Sequence, residues 1–83
     1  MKNTVLWSPE SEHDLTALWL SSRWRRIVTS AADQIDELLS IDAGNAGESR
    51  DANIRIIFVS PLAVEFEVVD SEKTVYVRAV WSY

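Results

Sequence analysis

Residues 54–82 read IRIIFVSPLAVEFEVVDSEKTVYVRAVWS, and apolar residues occupy nearly every second position along them. A period of two is typical of β-strands, whose successive side chains point to opposite faces of a sheet. Turn-forming residues interrupt the segment at Ser60-Pro61 and again at Asp70-Ser71-Glu72-Lys73. The pattern therefore predicts a meander of three antiparallel strands.

The second turn sets the register of the last two strands. A loop of four residues, 70–73, places Phe66 opposite Val77 and Glu65 opposite Arg78. Apolar side chains then face each other on one side of the sheet, and opposite charges face each other on the other side.

The first turn allows two registers. A two-residue loop would place Arg55 opposite Phe66, whereas a register one residue longer places Arg55 opposite Glu67 and Ile56 opposite Phe66. We prefer the longer register because it pairs opposite charges. The inner face is then predicted to hold Ile54, Ile56, Phe58, Val64, Phe66, Val68, Val75, Val77 and Ala79, and the outer face to hold Arg55, Ile57, Val59, Glu65, Glu67, Tyr76, Arg78 and Val80.

The first half of the chain predicts a strand followed by two helices. Residues 4–7 are β-prone, and Ser8-Pro9 is a strong helix start because Ser is a good N-cap and Pro suits the first helical position. Ser21-Ser22 offers a break. From Arg23, apolar residues recur at the spacing of one helical face, at Ile27, Val28, Ala31, Ala32, Ile35, Leu38 and Leu39. Residues 42–51 predict a C-cap and an irregular loop.

Composition limits the classes of function. The 83 residues predict one domain, 1–83, with 47% hydrophobic and 25% charged residues. Since there is no Cys and one His, we expect no disulfide, no metal site and no cofactor. The net charge of −5 argues against broad nucleic-acid binding and against an anionic membrane partner. The sequence has no signal-like start and no long apolar run, so we expect a cytoplasmic protein.

Isolated acidic and basic side chains give weak signals for catalysis. His13 lies among acidic residues of the first helix, which suits either a general acid or a solvated surface. Glu65 and Glu67 point to one face, as an acid–base pair would require, but pairing with arginines of neighbouring strands explains them equally simply.

Two features favour a protein partner. Arg23, Arg25 and Arg26 surround Trp24 near a helix start, where the helix dipole disfavours cations. They suit an anionic partner segment, contacts with acidic residues of the first helix, or simple solvation. The chain also has four Trp, at positions 7, 19, 24 and 81, more than a core of this size readily buries, so one or two are candidate interface anchors.

The order of strand, helical hairpin and meander resembles that of the RelE/ParE superfamily, the toxins of bacterial type II toxin–antitoxin systems. The opening Val5-Leu6-Trp7-Ser8-Pro9-Glu10-Ser11-Glu12-His13-Asp14-Leu15 is similar to the family's start, in which a short strand ends at Ser-Pro and an acidic helix follows. Residues 54–58, 64–68 and 75–81 resemble its end. The resemblance implies an α+β fold with a short N-terminal strand and a helical hairpin packed on a three-strand antiparallel meander.

The resemblance also implies a small growth-inhibiting toxin that a cognate antitoxin neutralises with an extended and helical segment. RelE-like members cut messenger RNA on the ribosome with Arg and Lys residues on the sheet and a basic or Tyr-bearing C-terminal segment. Here Ala63 lies about where those members carry an Arg, and the last residues are Trp81-Ser82-Tyr83. Tyr83 is therefore the one weak candidate for a catalytic residue.

ParE-like members inhibit DNA gyrase without catalysing a reaction and tolerate the absence of those residues. We therefore expect a ParE-like, non-enzymatic toxin with DNA gyrase as its target. The alternatives are a RelE-like ribonuclease acting on the ribosome and a non-toxic binding module with a toxin fold. The residues expected to contact a partner are Arg23, Trp24, Arg25, Arg26, Tyr76, Arg78, Val80 and Trp81.

Overall fold

The computed structural model describes residues 2–83, which form two helices packed on one face of a five-stranded mixed sheet. In chain order the elements are β1 (Thr4–Trp7), α1 (Pro9–Ser21), α2 (Arg25–Asp42), β2 (Glu48–Asp51), β3 (Ile54–Val59), β4 (Leu62–Val69) and β5 (Thr74–Ser82). The strand order is β1-β5-β4-β3-β2, with β1 parallel to β5 and the other neighbours antiparallel. The predicted α+β class, hairpin and meander are confirmed, and β1 and β2 widen the sheet. Within residues 2–83, no helix is long and apolar enough to cross a membrane.

The start of α1 is fixed by two serines. The Ser8 hydroxyl accepts a 3.0 Å hydrogen bond from the Ser11 amide, as expected of an N-cap. Ser11 is fully buried, and both its hydroxyl and the Ser8 amide donate to the carbonyl oxygen of Val77. The first turn of α1 is therefore bonded directly to β5.

Helix α2 supplies the helical side of the core. It begins at Arg25, two residues later than expected, because Trp24 is the N-cap. Four residues at helical spacing, Val28, Ala31, Ile35 and Leu39, are buried against the inner face of the sheet. The sheet contributes Ile57, Leu62, Val64, Phe66, Val75, Val77 and Val80 to the same cluster.

The predicted register between β3 and β4 is wrong. Val59 lies opposite Leu62 across a two-residue turn, and Arg55 lies opposite Phe66. Ile57 is buried and Val59 packs on the core, so the residues predicted inside, Ile54, Ile56 and Phe58, lie on the outer face. Burying an Ile is worth about 2 kcal/mol, whereas a cross-strand charge pair contributes about 1 kcal/mol or less. Core packing therefore outweighs the charge pairing that favoured the longer register.

The predicted register between β4 and β5 is confirmed from the turn as far as Phe66 and Val77, where a bulge in β5 shifts it. Phe66 faces Val77 as predicted, but Glu65 faces Ala79, which leaves Arg78 as the extra residue. An extra residue inverts the in–out alternation beyond it. Val80, predicted on the outer face, is therefore in the core with 6% of its surface exposed.

Strand β2 lies in the segment predicted as a loop. It is an edge strand whose four residues are all exposed; it pairs with β3 and follows Gly47, whose φ is 65°. A β-carbon on Gly47 would overlap the backbone carbonyl group of Ile56. Glycine at this position lets the chain leaving α2 approach β3 closely enough to add a strand.

Candidate functional site

The outer face of the sheet carries a cluster of aromatic side chains. Ala63, in the middle strand, faces Phe58 on one side and Trp81 on the other, and none of its own surface is exposed. The rings of Phe58 and Tyr83 meet edge to face with centroids 5.4 Å apart. We call Phe58, Ala63, Trp81 and Tyr83 the aromatic face. Its three aromatic side chains are exposed, whereas Ala63 between Phe58 and Trp81 is buried, so the rings are available to a partner.

The charges that β4 places beside the aromatic face are negative. Glu65 lies between Ile56 and Ala79, and Glu67 accepts a 3.1 Å hydrogen bond from the Asn53 side-chain amide. The predicted pairs Arg55–Glu67 and Glu65–Arg78 do not form across the strands.

Arg55 lies on the other side of the sheet, where its guanidinium donates to two backbone carbonyl oxygens. The distances are 2.7 Å to Ala46 and 3.0 Å to Gly47. Arg55 therefore holds the segment between α2 and β2, and its charge does not offset the carboxylates of the outer face.

Tyr76 and Arg78 lie on the outer side of β5, next to β1. Tyr76 is opposite Leu6, and its hydroxyl donates a 2.7 Å hydrogen bond to Glu72. That hydrogen bond, followed by desolvation and the negative charges of Glu72 and Glu67, raises the pKa of the Tyr76 phenol above its ordinary value of 10.0. Arg78 is exposed at the bulge and lines a hollow with Leu6 and Tyr76.

A groove runs between the two helices on the opposite side of the molecule. Its volume is about 380 Å³, and its apolar lining includes Trp7, Leu15, Trp19 and Val28. We call these four residues and their surroundings the interhelical groove. The carboxylates of Glu12, Asp33 and Asp36 also line it, which makes it an apolar groove with an acidic rim.

The predicted arginine cluster lies at the tip of the helical hairpin. Arg25 donates to the carbonyl oxygens of Trp19 at 3.3 Å and Leu20 at 3.1 Å, and its guanidinium lies 4.7 Å from the centroid of the Trp19 ring. The C-terminus of α1 thus compensates this cation, since helix C-termini carry unsatisfied carbonyl groups and negative dipole charge. Acidic side chains of the first helix do not supply this contact. Arg23, Trp24 and Arg26 remain exposed.

The residues predicted to contact a partner therefore divide among three places. Tyr76, Arg78 and Trp81 lie on the outer side of β5, and Arg23, Trp24, Arg25 and Arg26 lie at the hairpin tip. Val80 is in the core. Tyr83, the candidate catalytic residue, belongs to the aromatic face.

Sequence reasoning missed Phe58 as a surface residue. The sequence signal that places Phe58 outside is the two-residue turn at Ser60-Pro61, the alternative to the longer register. Among residues 2–83, no group of three His, Asp or Glu side chains lies close enough to hold a metal ion.

Solved structures share this architecture along nearly the whole chain. The RelBE2 toxin–antitoxin complex of Mycobacterium tuberculosis matches with a TM-score of 0.76 at 16% identity, covering 100% of this chain and 93% of that one. A free arginine-to-alanine double mutant of E. coli toxin RelE matches with a TM-score of 0.75 at 14% identity, covering 99% and 84%. The chromosomal ParDE system of P. aeruginosa matches with a TM-score of 0.72 at 16% identity, covering 98% and 96%. No protein-family model and no curated protein matches the sequence. The structural likeness shows that this chain has the fold of RelE/ParE toxins.

Proposed function

We propose that this protein is the toxin component of a bacterial type II toxin–antitoxin system, acting in the cytoplasm, and that a cognate antitoxin neutralises it. The support is the fold, which matches a RelBE2 toxin–antitoxin complex, a RelE toxin and a ParDE system over almost the whole chain. The same strand and helix order underlies the sequence resemblance to this family.

We further propose that the toxin acts as ParE-like members do, by binding and inhibiting DNA gyrase without catalysing a reaction. One observation carries this choice: the outer surface around Ala63 is aromatic and its neighbours on β4 are acidic, while the cation of that side, Arg78, lies at the bulge of β5. Ala63 lies under Phe58 and Trp81, about where ribonuclease members carry an Arg, and Glu65 and Glu67 lie beside it. Carboxylates repel RNA phosphates, whereas exposed aromatic rings are typical anchors of protein interfaces.

The interhelical groove suits the antitoxin. An apolar floor containing Trp7 and Trp19 with a rim of carboxylates is complementary to an amphipathic helix whose apolar face is flanked by Lys or Arg. We therefore assign the groove to a basic helical segment of the antitoxin and the aromatic face to the target.

Induction of the protein in a bacterial host tests the toxin proposal. We expect growth arrest, loss of plasmid supercoiling and intact transcripts, with growth restored by co-expression of the reading frame adjacent to the gene. Phe58→Thr and Trp81→Thr are expected to abolish arrest because Thr suits a strand but removes the ring. Leu38→Ala, which removes an exposed apolar side chain from α2, is the control and should remain toxic.

The Tyr83→Phe variant separates the two mechanisms. It keeps the ring that packs on Phe58 and removes the hydroxyl that a catalytic role would need. Retained toxicity supports the non-enzymatic proposal. Cleaved transcripts with wild-type protein and loss of toxicity in Tyr83→Phe would establish the ribonuclease instead. Normal growth at confirmed soluble expression would overturn the toxin proposal and leave a binding module with a toxin fold.

Charge reversal in the groove tests the antitoxin assignment. Asp33→Lys places a cation on the rim and should weaken binding of the antitoxin at least about tenfold, because like charges then meet across the interface. Asp51→Lys makes the same charge change on exposed β2 and is the control. If calorimetry gives equal affinities of the two variants for the antitoxin, the antitoxin does not bind in the groove.

A further inference from the structure

The tip of the helical hairpin exposes apolar and cationic side chains together. We call residues 20–27, LSSRWRRI, the hairpin tip. Leu20, Trp24 and Ile27 have 57%, 68% and 51% of their surface exposed. Among residues 2–83, Trp24 has the largest exposed fraction of the large hydrophobic side chains, and it belongs to neither the core nor the aromatic face. Large exposed aromatic side chains next to arginines are enriched where proteins bind proteins.

Two of the three tip arginines have no polar partner among residues 2–83. Arg25 is engaged with the last carbonyl groups of α1 and with the Trp19 ring. Within the described part of the chain, Arg23 and Arg26 make neither a side-chain hydrogen bond nor an ion pair. Both stand at the positive end of the α2 dipole, which disfavours cations. A carboxylate partner would pair with these two cations and offset their unfavourable interaction with the helix dipole.

The charge of the whole chain directs an acidic partner to this place. The hairpin tip holds three of the eight basic residues and none of the thirteen acidic ones, in a chain of net charge −5. The hairpin tip therefore attracts an acidic segment more than the largely acidic remainder of the chain does.

A protein segment fits the hairpin tip better than a phosphate surface does. Two unpaired arginines are too few for a nucleic acid or an anionic membrane, since each contributes about 1 kcal/mol to membrane attachment. Asp33 and Glu37 lie about two and three turns further along α2 and would repel an extended anionic surface. A short segment with a few carboxylates and one or two apolar side chains matches the patch in size and charge.

We propose that the hairpin tip is a docking site for an acidic segment of a partner protein. An apolar side chain of the partner segment packs on Trp24 and Ile27, and the carboxylates of the segment bind Arg23 and Arg26. The inference concerns a surface distinct from the interhelical groove and the aromatic face, and it holds whether or not the protein arrests growth.

A labelled peptide tests the proposal directly. The probe is a fluorescein-labelled peptide of the repeat Glu-Glu-Leu-Phe, followed by fluorescence anisotropy. Trp24→Ser and the double variant Arg23→Gln/Arg26→Gln are each expected to weaken binding at least about tenfold, as loss of an interface anchor does. Arg50→Gln removes one positive charge from β2, outside the hairpin tip, and should change affinity less than about twofold.

Three comparisons decide the outcome. A peptide with Ser in place of Leu and Phe should bind more weakly, because it lacks the apolar anchors; equal binding would overturn the apolar half of the proposal. Equal loss of affinity in Arg50→Gln would overturn the location. Tighter binding of a single-stranded DNA oligomer or of phosphatidylserine vesicles, weakened by the same tip variants, would assign the tip to phosphate groups instead. Circular dichroism should show that Trp24→Ser keeps a thermal unfolding transition like that of the unmodified protein. Such a transition excludes misfolding as the cause of lost binding.

Discussion

The indole Nε1 of Trp7 donates a 2.7 Å hydrogen bond to Oδ1 of Asp36. This contact joins β1, an edge strand of four residues, to the middle of α2 across 29 positions of sequence. Trp7 also packs on the core and lines the interhelical groove. One side chain therefore links the edge strand to α2 and forms part of the floor of the groove that we assign to the antitoxin.

Removing this hydrogen bond should lower stability modestly. Trp7→Phe keeps an aromatic ring but deletes the N–H donor, and we expect the free energy of unfolding to fall by about 1 kcal/mol. Urea denaturation measures the change. Asp36→Asn keeps an acceptor oxygen for the indole and should cost less than Trp7→Phe; an equal or larger cost would mean that the charge of Asp36 matters more than the hydrogen bond.

Gly47 should tolerate no side chain. Its φ of 65° is strained for other residues, and a β-carbon would lie 2.9 Å from Cα of Ile57 besides overlapping the Ile56 carbonyl. We expect Gly47→Ala to cost about 2 to 4 kcal/mol. Gly44→Ala is the matched control, because no atom lies within 4 Å of its β-carbon position, and it should change stability by about 0.5 kcal/mol or less. Similar unfolding midpoints for the two variants would contradict the close approach of β2 to β3.

The elements that sequence predicted best are those set by local chemistry. β1 has the predicted bounds, and α1 starts at Ser8-Pro9 because capping involves neighbouring residues only. The four-residue connection before β5 also places Phe66 opposite Val77 as predicted. Each of these features depends on side chains a few positions apart.

The features that sequence failed to predict depend on competition between distant contacts. The outward position of Phe58 follows from the packing of Ile57 and Val59 under the helices, which charge pairing of Arg55 could not outweigh. The bulge at Arg78 has no local signal, since the strand keeps a period of two across it in sequence. The aromatic face, which depends on both, was therefore only partly predictable, through Trp81 and Tyr83.

The raised pKa of Tyr76 predicts a shifted alkaline titration. In a Tyr83→Phe background Tyr76 is the one tyrosine, so phenolate absorbance reports it alone. We expect its midpoint above 10.0, and a lower midpoint in Glu72→Ala, which deletes the hydrogen-bond acceptor and a nearby negative charge. Glu48→Ala, on β2, is the control and should leave the midpoint unchanged.

The sign of the accompanying stability change follows from the direction of the shift. Because the folded state favours the neutral phenol, the stability that Tyr76 contributes is complete below the unfolded pKa and is lost as pH rises through the folded pKa. The difference in stability between the protein and its Tyr76→Phe variant should therefore be constant at neutral pH and change only in the alkaline range. A difference that varies between pH 5 and 8 would contradict the assignment.

The N-cap of α2 is occupied by a residue that is poorly suited to it, which predicts that stability and binding are opposed at Trp24. The Trp24 side chain makes no capping hydrogen bond, and the first turn of α2 holds arginines and no acidic residue. Trp24→Ser supplies a hydroxyl that accepts from the free amides of that turn, so we expect it to be more stable than Trp24→Ala by about 1 kcal/mol in urea denaturation. Both variants lack the exposed indole, so their affinity for the acidic peptide should fall to the same extent. If Trp24→Ser is no more stable than Trp24→Ala, the helix does not start at this residue in solution. If Trp24→Ser is more stable and still fails to bind the acidic peptide, the indole at position 24 serves binding and replaces a side chain that would cap the helix.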